Sequence, residues 1–192
     1  MTESVPPAPP SSVDWAADAV AALRALDVRQ VAYVPDAGLT RFLELSAAED
    51  GIAMTSVATE EDAIALTSGA WLGGQRAIAA MQSSGVGNIP NMLTLPRVCR
   101  MPLLMLVTMR GEPGETNPWQ ESTGRAVPAL LEAMGVEVRR VESASGIGLA
   151  LARAGADAFG GNRQICVQIA QSVIGFKGFQ GQGEGDAPNP DA

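Results

Sequence analysis

Histidine is absent from these 192 residues, cysteine occurs twice, and 13 basic side chains stand against 21 acidic ones. Without histidine, neither a Ser-His-Asp nor a Cys-His relay can be built within the chain, because the base those mechanisms require is missing. A Cys/His zinc site is excluded as well: Cys99 and Cys166 lie far apart and no CxxC spacing occurs. No metal site is therefore expected in this chain, and both cysteines are expected to be buried thiols of a reducing cytoplasm. With a formal charge of -8 and pI near 4.5, and with the basic residues scattered, the chain lacks the clustered cations of a nucleic-acid face. No apolar run is long enough to cross a bilayer, and the opening "MTESVPPAPPSS" has neither the basic nor the apolar region of an export signal. A cytoplasmic protein without membrane contact is expected. Two nucleotide-binding patterns, GxxxxGK[ST] and the full GxGxxG, are also missing. Acid-base chemistry must fall to carboxylates or to a partner.

What the chain does have is 46% hydrophobic residues in a length suited to one large domain. The Pro-rich residues 1–12 and the Gly-, Pro- and acid-rich residues 178–192 are too poor in apolar groups to repay ordering, and are expected to be flexible ends. Between them, residues 13–177 alternate helical and strand patterns. "VDWAADAVAALRAL" spaces its apolar residues as a helix, "QVAYVP" reads as a strand, and "GLTRFLELSAAE" reads as a helix with Asp36 at its N-cap. "GIAMTSV" and "RAIAAMQ" read as strands on either side of a helix that Thr59 caps. After "SSGVGN" come a short helix, "IPNMLTLPRVCR", and the continuously apolar "PLLMLVTM", which predicts a central strand covered on both faces. A long loop, "RGEPGETNPWQESTG", then leads to the helix "RAVPALLEAMG", the strand "VEVRRVE", the helix "SASGIGLALARAGADAFG" and a last strand, "RQICVQIA". Strands alternating with helices predict an α/β fold: a three-layer, doubly wound sheet of about six parallel strands.

Ligands of such sheets bind beyond the carboxyl ends of the strands. Four strand-to-helix loops carry unusual chemistry and are expected at that one edge: "VPDAG", "VATEED", "QSSGVGN" and "RGEPGETNPWQ". Asp36 can serve as a helix cap, as a site residue, or as both. Glu60, Glu61 and Asp62 suit a helix N-terminus, where each acid is favoured by about 0.3–1 kcal/mol. One would satisfy that need, and the small, apolar "AIALTSGAW" that follows predicts a buried wall in which a carboxylate needs a partner. The glycines and hydroxyls of "QSSGVGN" allow backbone N–H groups to approach an anion or a flat ring. Arg110 could fork onto an anion, and a loop of this length is more often functional than a plain connection.

In their order and spacing, "VPDAG", "TEEDAIALTSGAWLGG", "AAMQSSGVGNIPN" and "MRGEPGE" resemble the pyrimidine-binding domain of thiamine-diphosphate-dependent decarboxylases. The resemblance spans roughly Asp14 to Ile174 and is strongest to sulfopyruvate decarboxylase α subunits, with phosphonopyruvate decarboxylases next. It implies that one glutamate at the start of the third helix, nine residues before a glycine, hydrogen-bonds the cofactor's aminopyrimidine and assists its activation. That spacing selects Glu60, nine before Gly69. By the same resemblance, Gln82, Ser83, Ser84, Gly85 and Asn88 line the cofactor pocket, and Asn88 also borders the substrate. Asp36 faces the reacting centre, and Arg110 lies near the substrate's second anionic group.

The diphosphate and its Mg²⁺ are held in this family by a separate domain marked by GDG and a later Asn, and no such motif occurs in this sequence. The expectation is therefore a split enzyme. A β subunit would carry the diphosphate-binding domain and Mg²⁺ in a hetero-oligomer such as α₂β₂ or larger, and this chain alone would be inactive. The implied reaction is decarboxylation of a 2-oxoacid, with 3-sulfopyruvate leading, phosphonopyruvate or another 2-oxoacid as the alternative, and a non-catalytic regulatory subunit as a third reading. In the phosphonopyruvate relatives the RGEPG loop runs on to a histidine. Here Trp119 and Gln120 stand around that place, so Gln120 is a further candidate for substrate contact.

Overall fold

A computed structural model of the chain describes residues 13–175. The expected flexible ends, residues 1–12 and 178–192, and the last residues of the domain as drawn from sequence, lie outside the described residues. Six parallel strands form one sheet in the order β2-β1-β3-β4-β6-β5: β1 (Val28–Tyr33), β2 (Ala53–Ser56), β3 (Arg76–Gln82), β4 (Leu103–Thr108), β5 (Glu137–Val141) and β6 (Gln164–Ile169). All six residues of β4 are buried, as its unbroken apolar run requires of a strand covered on both faces.

Helices cover both faces. On one side α1 (Trp15–Ala25), α2 (Thr40–Ala47) and α6 (Ile147–Gly161) enclose Leu23, Phe42, Leu104, Leu151 and Val167. On the other, α3 (Glu60–Leu72), α4 (Thr94–Val98) and α5 (Pro118–Ala133) enclose Ile64, Met81, Met105, Leu131 and Cys166. A short α7 (Gln171–Ile174) follows β6. No helix among the described residues is long and apolar enough to cross a membrane.

Two helix starts and the burial of one cysteine differ from the sequence pattern. Helix α2 starts at Thr40 with Leu39 as its N-cap, so Asp36 lies too far upstream to cap it. Helix α5 starts at Pro118, well before the expected "RAVPALLEAMG", because the Asn117 carboxamide accepts the Trp119 N–H at 3.1 Å and proline suits the first helical position. Trp119 and Gln120 are thus first-turn helical residues. Cys166 is buried as expected, but Cys99 is exposed: α4 is five residues long and its carboxyl end reaches the surface.

The strand order fixes where the loops go. From β1 the chain runs outward to β2, whereas from β3 it runs the opposite way to β4. The β1 and β3 loops therefore diverge and leave a crevice between them, the topological switch point at which open α/β sheets bind ligands.

Candidate functional site

The first turn of α3 sorts its three acids. Thr59 is extended at the N-cap (φ -137°, ψ 159°), and its backbone N–H donates to the Asp62 carboxylate at 3.4 Å. Asp62 and Glu61 remain at the surface, whereas Glu60 is 9% exposed and turns inward. Across the crevice, residues Ser83–Asn88 form a 3₁₀ turn directly after β3. Its Asn88 side-chain amide donates to Glu60 Oε2 at 2.8 Å. A β-carbon at Gly85 would overlap the Glu60 carboxyl group, so glycine is required for the carboxylate to sit where it does. Gly85→Ala is expected to displace the Glu60 carboxyl group and break its contact with Asn88, with little change in Tm; the Asn88 side-chain amide resonance and a thermal melt check both.

A second polar cluster lies at the carboxyl ends of β1, β3 and β4. Asp36 bends back onto its own loop, accepting the Gly38 N–H at 3.0 Å, the local turn that short acids favour. Its other oxygen, Oδ1, accepts from Gln82 Nε2 at 2.7 Å, and Oδ2 also accepts from the Thr108 hydroxyl at 3.1 Å. The Ser84 hydroxyl donates to Gln82 Oε1 at 2.7 Å. Ser83 is fully buried and accepts the Arg110 backbone N–H at 2.9 Å, which ties the β3 loop to the β4 loop.

Arg110 does not project freely from the end of β4. Its Nε and Nη2 donate to the two oxygens of Glu115 at 2.7 and 2.9 Å, a bidentate pair with side chains 11% and 1% exposed. Glu115 also accepts the backbone N–H groups of Gly111, Thr116 and Asn117 and the Gln171 side-chain amide. Chiefly through Arg110, its carboxyl is held down to about 2. The Arg110 guanidinium is pushed above its ordinary value by Glu115, with a smaller contribution from the Asp36 charge. Gln171 extends the network: its Oε1 accepts the Glu112 N–H at 3.0 Å, and its own backbone N–H donates to Glu112 Oε2 at 2.9 Å. Glu112 in turn pairs with Arg140.

The structure therefore gathers Asp36, Gln82, Ser84 and Thr108 into one cluster and Glu60, Gly85 and Asn88 into an adjoining one, with Ser83 and Arg110 joining the β3 and β4 loops. Gln120 stands apart: its Oε1 is buried without a hydrogen-bond partner among the described residues, and its backbone carbonyl abuts Gly111 so closely that a β-carbon there would overlap it. Thr108, Glu112, Glu115 and Gln171 are constituents that sequence reasoning missed. The alternation of charge in "RGEPGE" is a visible signal for Glu115; nothing local marks Thr108 or Gln171.

A flat ring with polar nitrogens fits these residues. The glycine turn leaves Glu60 uncrowded, and nothing lies within 4 Å of where a β-carbon on Gly87 would sit. One carboxylate oxygen of Glu60 is held by Asn88, while the other has no hydrogen-bond donor among the described residues.

No family model matches the chain. It is 39% identical over 124 residues to a phosphonopyruvate decarboxylase of Streptomyces viridochromogenes, covering 64% of this chain and 31% of the relative. It is 32% identical over 111 residues to the sulfopyruvate decarboxylase subunit alpha of Methanothermobacter thermautotrophicus, covering 57% of this chain and 67% of the relative. Among solved structures, 2-oxoglutarate:ferredoxin oxidoreductase from Magnetococcus marinus shares the fold, with TM-score 0.67 and 18% identity over 83% of this chain and 29% of that one. The chain thus spans about a third of the length of the Streptomyces relative.

Proposed function

We infer that this chain, which belongs to the family of the sulfopyruvate decarboxylase alpha subunits and phosphonopyruvate decarboxylases, is the pyrimidine-binding subunit of a thiamine-diphosphate-dependent 2-oxoacid decarboxylase. The observation that carries this reading is the inward carboxylate of Glu60, seated over Gly85 with Oε2 held by Asn88. An acid that served only the helix terminus would stay in solvent, as Glu61 and Asp62 do.

When bound, thiamine diphosphate supplies the nucleophilic carbon and the electron sink through which a 2-oxoacid loses CO₂. Glu60 would hold the ring through its aminopyrimidine and would take up or release a proton at Oε1, the oxygen to which Asn88 does not donate. Gln82, Ser84 and Gly85 line the ring, the glycine by its lack of a side chain; Ser83, expected there from the resemblance, is fully buried and instead ties the β3 loop to the β4 loop. Asp36 and Asn88 border the oxoacid, and Arg110 meets its second anionic group through N–H groups not taken by Glu115; Gln120, which stands apart from both clusters, is not assigned a contact. The diphosphate and Mg²⁺ belong to a β subunit, so that the site is completed at the interface of a hetero-oligomer, α₂β₂ or larger. The leading substrate is 3-sulfopyruvate, giving sulfoacetaldehyde and CO₂, because the relatives named as alpha subunits act on sulfopyruvate. Phosphonopyruvate is the second reading, favoured by the higher identity of 39% to the Streptomyces enzyme.

Reconstitution tests this directly. The full chain, purified with the partner chain that accompanies it, is expected to release CO₂ from 3-sulfopyruvate or phosphonopyruvate when given thiamine diphosphate and Mg²⁺, and to be inactive without the partner. Turnover by this chain alone would remove the split-site reading; an assembled complex inactive on a panel of 2-oxoacids would remove the decarboxylase reading.

A further inference from the structure

Three elements converge on the Asp36 carboxylate, and their donors have a definite polarity. Thr108 closes β4 and is fully buried, so water cannot stand in for its hydroxyl. Its single proton can reach Asp36 Oδ2 at 3.1 Å or the Met81 carbonyl at 3.5 Å; the nearer and charged acceptor takes it. Asp36 Oδ1 accepts from Gln82 Nε2, so Gln82 presents its NH₂ group to Asp36 and its carbonyl oxygen to Ser84. Reversing the amide would set oxygen against oxygen at 2.7 Å. The Ser84 proton is then committed to Gln82. Gly38 guards the carboxylate from the other side: a β-carbon there would lie 2.8 Å from Asp36 Oδ2 and 3.5 Å from the Thr108 β-carbon.

We propose that Thr108 is a positioning residue that sets the hydrogen-bond polarity of this site: its hydroxyl holds Asp36, Asp36 orients the Gln82 amide, and Gln82 takes the Ser84 proton. Ser84 therefore meets a ligand as an acceptor and selects a ligand bearing an N–H donor at that place. The relay of side chains is independent of any ligand; its bearing on the aminopyrimidine that Ser84 would line rests on the decarboxylase reading above.

Two measurements on the full chain test it. The first follows the Gln82 side-chain amide in the ¹⁵N-labelled protein, its resonance identified by its loss in Gln82→Leu. In Thr108→Val, which keeps the shape and removes the donor, this amide is expected to shift toward a solvent-exposed glutamine and to lose protection from exchange. Thr108→Ser is expected to restore the native signature. The second uses the reconstituted complex, where Thr108→Val should raise about tenfold the thiamine diphosphate concentration that gives half-maximal turnover, because the aminopyrimidine and not the 2-oxoacid carries N–H donors, with kcat at saturating cofactor within about twofold, and Thr108→Ser should be near normal. An unchanged Gln82 resonance in Thr108→Val overturns the proposal, as does a serine variant as impaired as the valine one. Should Thr108→Val fail to fold, Gly38→Ala, which crowds the same carboxylate, must produce the same change in the Gln82 resonance or the proposal falls. A complex inactive on every oxoacid would count against the decarboxylase reading alone, since the amide signature needs no turnover.

Discussion

Glu60→Gln is expected to lower kcat of the reconstituted complex by about 10²–10⁴-fold, the range over which positioned acid-base groups act. The substitution removes the ability to exchange a proton while preserving shape, and the Asn88 amide can turn to present its oxygen in place of its NH₂ group. Gly85 still clears the same volume, so Tm should stay near that of the parent chain. Neither Glu61 nor Asp62 can replace Glu60, because both lie on the outer side of the same helical turn. Glu61→Gln should therefore leave kcat within about twofold. The control separates a proton-handling role from general helix-terminus electrostatics, to which each acid contributes about 0.3–1 kcal/mol. Near-normal turnover of the Glu60→Gln complex would sink the catalytic assignment.

Glu115→Ala should have the largest effect on stability. Its side chain is 1% exposed and lies against Arg110, itself 11% exposed, so truncation leaves a buried guanidinium without its hydrogen-bonded counter-charge and with only the weaker influence of Asp36. Breaking a buried pair in this way costs about 3–5 kcal/mol. The backbone N–H groups of Thr116 and Asn117 lose their acceptor as well, which should loosen the loop leading into α5. Glu115→Gln keeps some of these hydrogen bonds and should be less damaging. The pH dependence follows from the same contacts. The folded-state carboxyl is held down from its ordinary 4.5 to about 2. Its contribution is therefore fully present above about 4.5 and lost as pH falls toward about 2. Denaturant melts of the parent chain should weaken through that window, and the Glu115→Gln chain should lack this part of the slope. Equal slopes for the two would mean that Glu115 is not held ionised by Arg110.

Much of the architecture was legible because its causes are local. The unbroken "PLLMLVTM" could only be a strand covered on both faces, and Thr59 followed by three acids marked the start of α3. Where the reading went astray, a local signal was outweighed by a neighbouring one. Asp36 resembled a cap, but Leu39 occupies that position and the aspartate folds onto Gly38. Trp119 and Gln120 resembled loop residues, but Asn117 and Pro118 start α5 ahead of them.

The alternation of strands and helices and the gathering of four unusual loops at one sheet edge were already legible in the sequence, whereas the choice of Glu60 among the three acids came only from the family resemblance, which reads its spacing to Gly69. Only the tertiary structure decided which polar groups meet. Asn88 and Glu60 are 28 residues apart, Gln82 and Asp36 are 46 apart, and Thr108 and Asp36 are 72 apart. Those separations are closed by the register of parallel strands, β1 against β3 and β3 against β4. A hydrogen bond needs its partners placed to within a few tenths of an ångström. Hydrophobic period and capping residues specify an element and its face, but that placement exists only once the sheet has assembled.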